Sequence, residues 1–226
     1  MVSLQMQVNL YISGRKLKDL DAFSKSDPVC IVFEKVNGNW TKIGQTEQVK
    51  NNLNPDFTTA FEVPYFFEKQ QDYKFVMIDG DGDGDYDTIG EVETTMGKLM
   101  GALKQTWTAN LIKGGQANRG QIIVRTMAVA TSNEVAKMTL RIANANNVQT
   151  GCMGMCPERQ DYLVQIQKEA PGGGNFVTAV SWPGSFNAAD LNLTEQIFPL
   201  GQLCNADKSA RIKFVLQDRE GQRIYN

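Results

Sequence analysis

The sequence predicts an all-β protein built as two tandem antiparallel sandwiches, over residues 1–130 and 131–226. Three observations carry this prediction. Apolar residues recur at every second position in successive runs of six to ten residues, turn-forming residues lie between many of the runs, and one fourteen-residue stretch recurs 139 positions later. Period two sends neighbouring side chains to opposite faces of a strand, and many short strands separated by turns build a sandwich.

The first run, 3–12, has apolar residues at 4, 6, 8, 10 and 12, the pattern of a half-buried strand. Similar runs follow at 28–36, 40–49, 57–63, 73–78, 89–95 and 121–129. Asn37 and Gly38 separate two of them, and both residue types tolerate positive φ, so a hairpin is expected there. Helical character is confined to 96–105. A second unit begins after the polar stretch 131–134: 138–142 repeats the alternation of the first strand, 162–167 reads as another strand, and the proline followed by three glycines at 171–174 reads as a hairpin tip.

The internal repeat aligns 74–87 with 213–226 without a gap, and six of the fourteen positions are identical. An offset of 139 residues points to duplicated domains rather than a solenoid. The second copy stops at Asn226, where the first still uses 88–129 to finish its sandwich. An open sheet exposes unpaired edges and half a core, so the second sandwich is expected to be incomplete at its C-terminus. The chain is then a fragment of a longer protein, or a partner supplies the rest.

Composition narrows the function. The 226 residues are 42% hydrophobic, enough for packed cores, and the net charge of −2 gives no reason to expect nucleic-acid binding. The N-terminus alternates where a signal peptide would be solidly apolar, and no stretch approaches eighteen apolar residues, so a soluble, cytoplasmic protein is expected. The chain contains no histidine, which excludes Ser-His-Asp and Cys-His nucleophile systems; with no Walker loop or nucleophile elbow, no enzyme is expected. Cys30, Cys152, Cys156 and Cys204 do not form a disulfide framework, and the spacing of Cys152 and Cys156 without any histidine argues against structural zinc.

The acidic residues carry the chemistry. Asp79, Asp81, Asp83, Asp85 and Asp87 fall within nine positions, interleaved with glycines at 80, 82 and 84. Carboxylates this close repel unless solvated or neutralised, and clustered hard oxygens suit calcium. An EF-hand starting at Asp79 fails, because position 12 is Gly90 instead of a bidentate glutamate and the flanks read as strands. Asp21 and Asp27, six apart between two strands, belong to a different pattern: Asp-x₅-Asp-Pro, then Asp79-x-Asp81-x₅-Asp87-x-Ile89-Gly90-Glu91.

That pair of motifs resembles the C2 domain family, and the match is nearest to copines. The residues that carry it are the Asp-Ala-Phe-Ser-Lys-Ser-Asp-Pro stretch at 21–28, Thr46 and Glu47, the Asn-Leu-Asn-Pro stretch at 52–55, and Ile-Gly-Glu-Val-Glu-Thr-Thr at 89–95. The resemblance covers 3–129; over 134–226 it rests on element order and the repeat. It implies two eight-stranded C2 sandwiches with type II connectivity. It also implies calcium ligands at Asp21, Asp27, Asp79, Asp81 and Asp87, with backbone carbonyls of Leu20 and Gly80 and with Asp83 and Asp85 as possible additions. Phe23 and Lys25 would then meet an anionic phospholipid membrane, reached from the cytoplasm when calcium rises. The loop of the second unit that corresponds to Asp21–Asp27 has no aspartate, since Asp161 comes one position late, so no calcium is expected there. That unit is expected to face a protein partner. The competing expectation for the whole chain is a structural or scaffold subunit that uses its sandwiches for protein contacts.

Overall fold

A computed structural model describes residues 5–21, 24–80, 86–130, 132–142, 163–170, 175–182, 191–217 and 223–225. The chain divides into two compact units, Met1–Val129 and Ala130–Asn226.

The first unit has two four-stranded antiparallel sheets. One has the order β4(Asp56–Phe66), β1(Gln5–Arg15), β8(Gln121–Ala128), β7(Thr106–Asn110), and the other β3(Asn39–Gln45), β2(Pro28–Val36), β5(Asp72–Gly80), β6(Tyr86–Thr95). Their facing sides share one core. Val8, Leu10 and Ile12 come from β1, Cys30 and Val32 from β2, Tyr73, Phe75 and Met77 from β5, and Ile122 and Val124 from β8. Each set steps by two, so the periodicity that marks the strands also selects the buried face. Burial pushes the Cys30 thiol up, and its sulfur behaves as a small apolar group of this core.

The expected hairpin forms between β2 and β3, with Asn37 at φ 50 and Gly38 at φ 84. The helical stretch resolves into a five-residue helix, α1(Met96–Met100), capped by the Thr95 side chain, which accepts from the Lys98 N–H. The third strand is shorter than its alternation predicts. It ends at Gln45, where the two-way backbone pairing with β2 gives way: the Thr46 N–H still donates to the Cys30 carbonyl at 2.9 Å, but the Cys30 N–H donates to Thr46 Oγ1, at 2.8 Å, in place of a backbone carbonyl. One strand of this unit, β7, lies outside the runs picked out by periodicity.

Gly120, just before β8, has φ +94, and a Cβ there would lie 2.6 Å from the Lys16 carbonyl oxygen and 2.7 Å from Leu17 Cα. Gly114 also has positive φ, +58, but nothing within 4 Å of its Cβ position. Gly120→Ala is therefore expected to cost about 2–3 kcal/mol in urea unfolding, against about 1 kcal/mol for Gly114→Ala. Equal costs at the two sites would show that backbone conformation alone, and not the close approach to the end of β1, sets the requirement for glycine.

The second unit repeats the order of the first. β10(Leu163–Glu169) is flanked by β11(Phe176–Ser181) and β13(Ile212–Gln217), with β14(Arg223–Tyr225) outside β13. This matches the β3-β2-β5-β6 sheet strand for strand. β9(Val135–Ile142) pairs with β12(Leu191–Pro199), as β1 pairs with β4, and the helix α2(Leu200–Cys204) follows β12. Val164, Ile166, Phe198, Leu203 and Leu216 form this unit's core, with Trp182 edge-on to Phe198 at 5.5 Å. The repeat extends to the outer face. Lys74 on β5 lies 5.0 Å from the Trp40 ring on β3, and the aligned Lys213 on β13 lies 5.9 Å from the Phe176 ring on β11. The tip at 171–174 falls outside the described residues, but the strands on either side of it, β10 and β11, pair antiparallel as a hairpin requires.

Candidate metal centre

The acidic motifs meet at one end of the β2-β5-β6 ladder. Pro28 pairs with Asp79, Asp79 pairs with Asp87, and Gly80 pairs with Tyr86. Asp79 and Asp87 are thus direct cross-strand neighbours, and like charges directly opposite one another are unfavourable without a counter-charge. A bulge just inside this end, where Met77 faces Gly90 and Ile78 faces Thr88, sets the phase of the ladder that carries Asp87.

Asp79 is 1% exposed, and its two oxygens differ sharply. Oδ1 accepts from the Asp27 N–H at 2.6 Å. Oδ2 is buried and has no hydrogen-bond partner among the described residues. A buried carboxylate oxygen without a partner is expensive, and a cation at that position removes the cost. This oxygen, with Asp87 across the ladder and Asp27 bonded alongside, is an observation that fits calcium.

Asp27 is held on three sides. Its Oδ1 accepts from the Asn51 N–H at 2.7 Å, its Oδ2 from Gln48 Nε2 at 3.3 Å, and its carbonyl from the Gly80 N–H at 3.1 Å. Gln48 Nε2 also donates to the Gly80 carbonyl at 2.5 Å. The carbonyl expected to face the metal therefore already has one donor, and one lone pair remains. Asp21 is partly buried and accepts from Ser24 Oγ at 2.6 Å. The Leu20 N–H donates to Ser26 Oγ at 2.9 Å, and the Ser26 N–H donates to Asp19 Oδ1 at 3.1 Å, which folds the loop back on itself. Lys25 is exposed on that loop, with its N–H donating to Asn51 Oδ1. Asp81, Asp83, Asp85 and Phe23 lie outside the described residues, as do Cys152, Cys156 and the whole first loop of the second unit. Among the described residues no three acidic or thiol groups come together as a complete metal site.

Asp19, Ser26, Gln48 and Asn51 position the site without belonging to the ligand pattern. The only sequence signal for them is adjacency to the motif, since a serine or asparagine in a polar loop has no period to mark it. The other family motifs prove to be supports. Glu47 accepts from both hydroxyls of Thr58 and Thr59 and from both their N–H groups, fixing the start of β4. Asn54 Oδ1 accepts from the Lys16 N–H, while Leu53 and Pro55 carbonyls take the N–H groups of Leu17 and Gly14. These bonds anchor the strand that leads into the Asp21 loop.

The C2 domain family model matches residues 5–110, which make up most of the first unit. Its curated relatives include copine-family proteins. Copine-E of Dictyostelium discoideum is 39% identical over 138 residues, covering 52% of this chain and 24% of the relative. Nicotinic receptor-associated protein 1 of Caenorhabditis elegans is 38% identical over 132 residues, covering 48% of this chain and 20% of the relative. The chain thus spans about a quarter or less of the length of these proteins. Among solved structures, a C2 domain of plant Extended Synaptotagmin 1 aligns with 54% of this chain and 93% of its own, at 18% identity and a TM-score of 0.46. Calcium and phospholipid binding are typical of C2 domains, which also commonly bind proteins.

Proposed function

We propose that the chain is a copine-like, calcium-dependent binder of anionic phospholipid membranes, with its first unit as the calcium sensor and with no catalytic role. The observation that carries this reading is the buried, unpartnered Oδ2 of Asp79 at the end of the ladder that also holds Asp27 and Asp87. Asp21, Asp27, Asp79, Asp81 and Asp87 would hold the metal. Bound calcium supplies positive charge there and open positions for lipid phosphate or carboxylate oxygens.

The protein's own residues account for the rest. Without a cation, the carboxylates at this tip repel an anionic surface. Lys25 on the same loop adds about 1 kcal/mol of attraction once it is close to that surface, and Phe23 beside it enters the interfacial layer. No helix among the described residues is long and apolar enough to cross a membrane. The attachment proposed is peripheral, from the cytoplasm, as calcium rises.

The test is sedimentation of the full chain with phosphatidylserine vesicles, in calcium and then in chelator. The expected result is pelleting in calcium that is reversed by chelator and lost when Asp21, Asp27, Asp79 and Asp81 are all changed to Asn. No pelleting at millimolar calcium would overturn the membrane reading.

A further inference from the structure

Gln48 reaches the acidic ladder end through its side chain, and touches it in two places at once. Its Nε2 donates to the Gly80 carbonyl at 2.5 Å and to Asp27 Oδ2 at 3.3 Å. Both oxygens belong to residues expected to hold calcium. Among the described residues no other side chain donates to two such oxygens. The orientation of the amide follows from its neighbours: two acceptors face it, and only the NH₂ end of an amide carries two hydrogens to give them.

An N–H group so placed does in weaker form what a cation would do. It sets partial positive charge beside the Asp27 carboxylate and occupies one lone pair on each oxygen. The fold does not depend on it, because the same groups are held by other bonds. Gly80 pairs with Tyr86 in the ladder, and its N–H donates to the Asp27 carbonyl at 3.1 Å. Asp27 Oδ1 accepts from the Asn51 N–H at 2.7 Å, and the Asp27 N–H donates to Asp79 Oδ1 at 2.6 Å. Gln48 is itself exposed, so an amide released from these oxygens passes directly to water.

The glycine at position 80 admits the amide. A Cβ there would lie 2.9 Å from Gln48 Nε2 and 3.4 Å from Gln48 Cδ, while the Asp27 carbonyl oxygen would stand at an ordinary 3.5 Å. A methyl group at this position therefore displaces the end of one flexible side chain and leaves the backbone where it is.

We propose that Gln48 is a built-in competitor for the metal: its amide gives up the Gly80 carbonyl and Asp27 Oδ2 as calcium takes them, and so sets the calcium concentration to which the site answers. The inference rests on the calcium reading of the first unit and adds to it a residue that lowers affinity.

The test is calorimetric titration of the full chain with calcium chloride, for the unaltered protein, Q48M, G80A and the double variant Q48M/G80A. Methionine keeps the length of the side chain and carries no donor. Each single variant is expected to bind calcium about threefold to tenfold more tightly, a modest gain because water largely replaces the lost hydrogen bonds. The double variant is expected to gain no more than the tighter of the two, since both substitutions remove the same contact. Binding by Q48M that is equal to that of the unaltered chain, or weaker, would make Gln48 a structural support and overturn the proposal. Gains that add in the double variant would overturn it too, because the two substitutions would then act separately. An unaltered chain that takes up no calcium would overturn the calcium reading itself, and this inference with it.

Discussion

Asp79→Asn is expected to stabilise the protein in chelator and to destabilise it in calcium, relative to the unaltered chain. The substitution keeps an oxygen to accept from the Asp27 N–H and removes the charge from a side chain that is 1% exposed with one oxygen unpartnered. Relieving that group is worth about 1–3 kcal/mol. With calcium at a hundred times its dissociation constant, the unaltered chain gains about 2.7 kcal/mol by mass action, and the variant, lacking a buried ligand, gains little of it. Melting temperatures of both proteins, each in calcium and in chelator, give the four values needed. A variant that is less stable by the same amount in both conditions would mean that Asp79 is a structural hydrogen-bond acceptor and nothing more.

Phe75→Ala is expected to cost about 3–5 kcal/mol and Phe214→Ala about 1 kcal/mol, although the two residues occupy the same place in the repeat. Phe75 is enclosed by both sheets of its unit, and deleting its ring leaves a cavity. Phe214 is 38% exposed on a core face that, among the described residues, has two strands opposite, so its removal forfeits little burial. Hydrogen exchange, read separately on peptides from each unit, resolves the two costs. If Phe214→Ala proved as costly as Phe75→Ala, the core face of the second unit would be covered in solution.

The strands of the first unit were legible because burial there is two-sided and regular. Val8, Leu10 and Ile12, or Phe75 and Met77, write the core directly into the sequence. β7 escaped because its Trp107 and Ala109 only flank the core, and β11 because its alternation is short. The acidic ladder end was legible too, since aspartates on a strand pattern have few other uses. What held those aspartates was not: Gln48, Asn51 and Ser26 act through single hydrogen bonds in irregular loops, and such contacts leave no period. The burial of one Asp79 oxygen without a partner is likewise a property of three-dimensional packing, invisible in a row of alternating Asp and Gly.

The pairing of Gly80 with Tyr86 closes a span of five residues that carries Asp81, Asp83 and Asp85. Asp79, just ahead of Gly80, is held by strand register, paired with Pro28 on one side and with Asp87 on the other. Because successive side chains of a strand point to opposite faces, a one-residue insertion in β5 ahead of Asp79 turns its carboxylate away from Asp27, whereas a substitution that leaves the length of β5 unchanged does not. The ladder end is therefore expected to tolerate changes of residue type along β5 better than changes of its length.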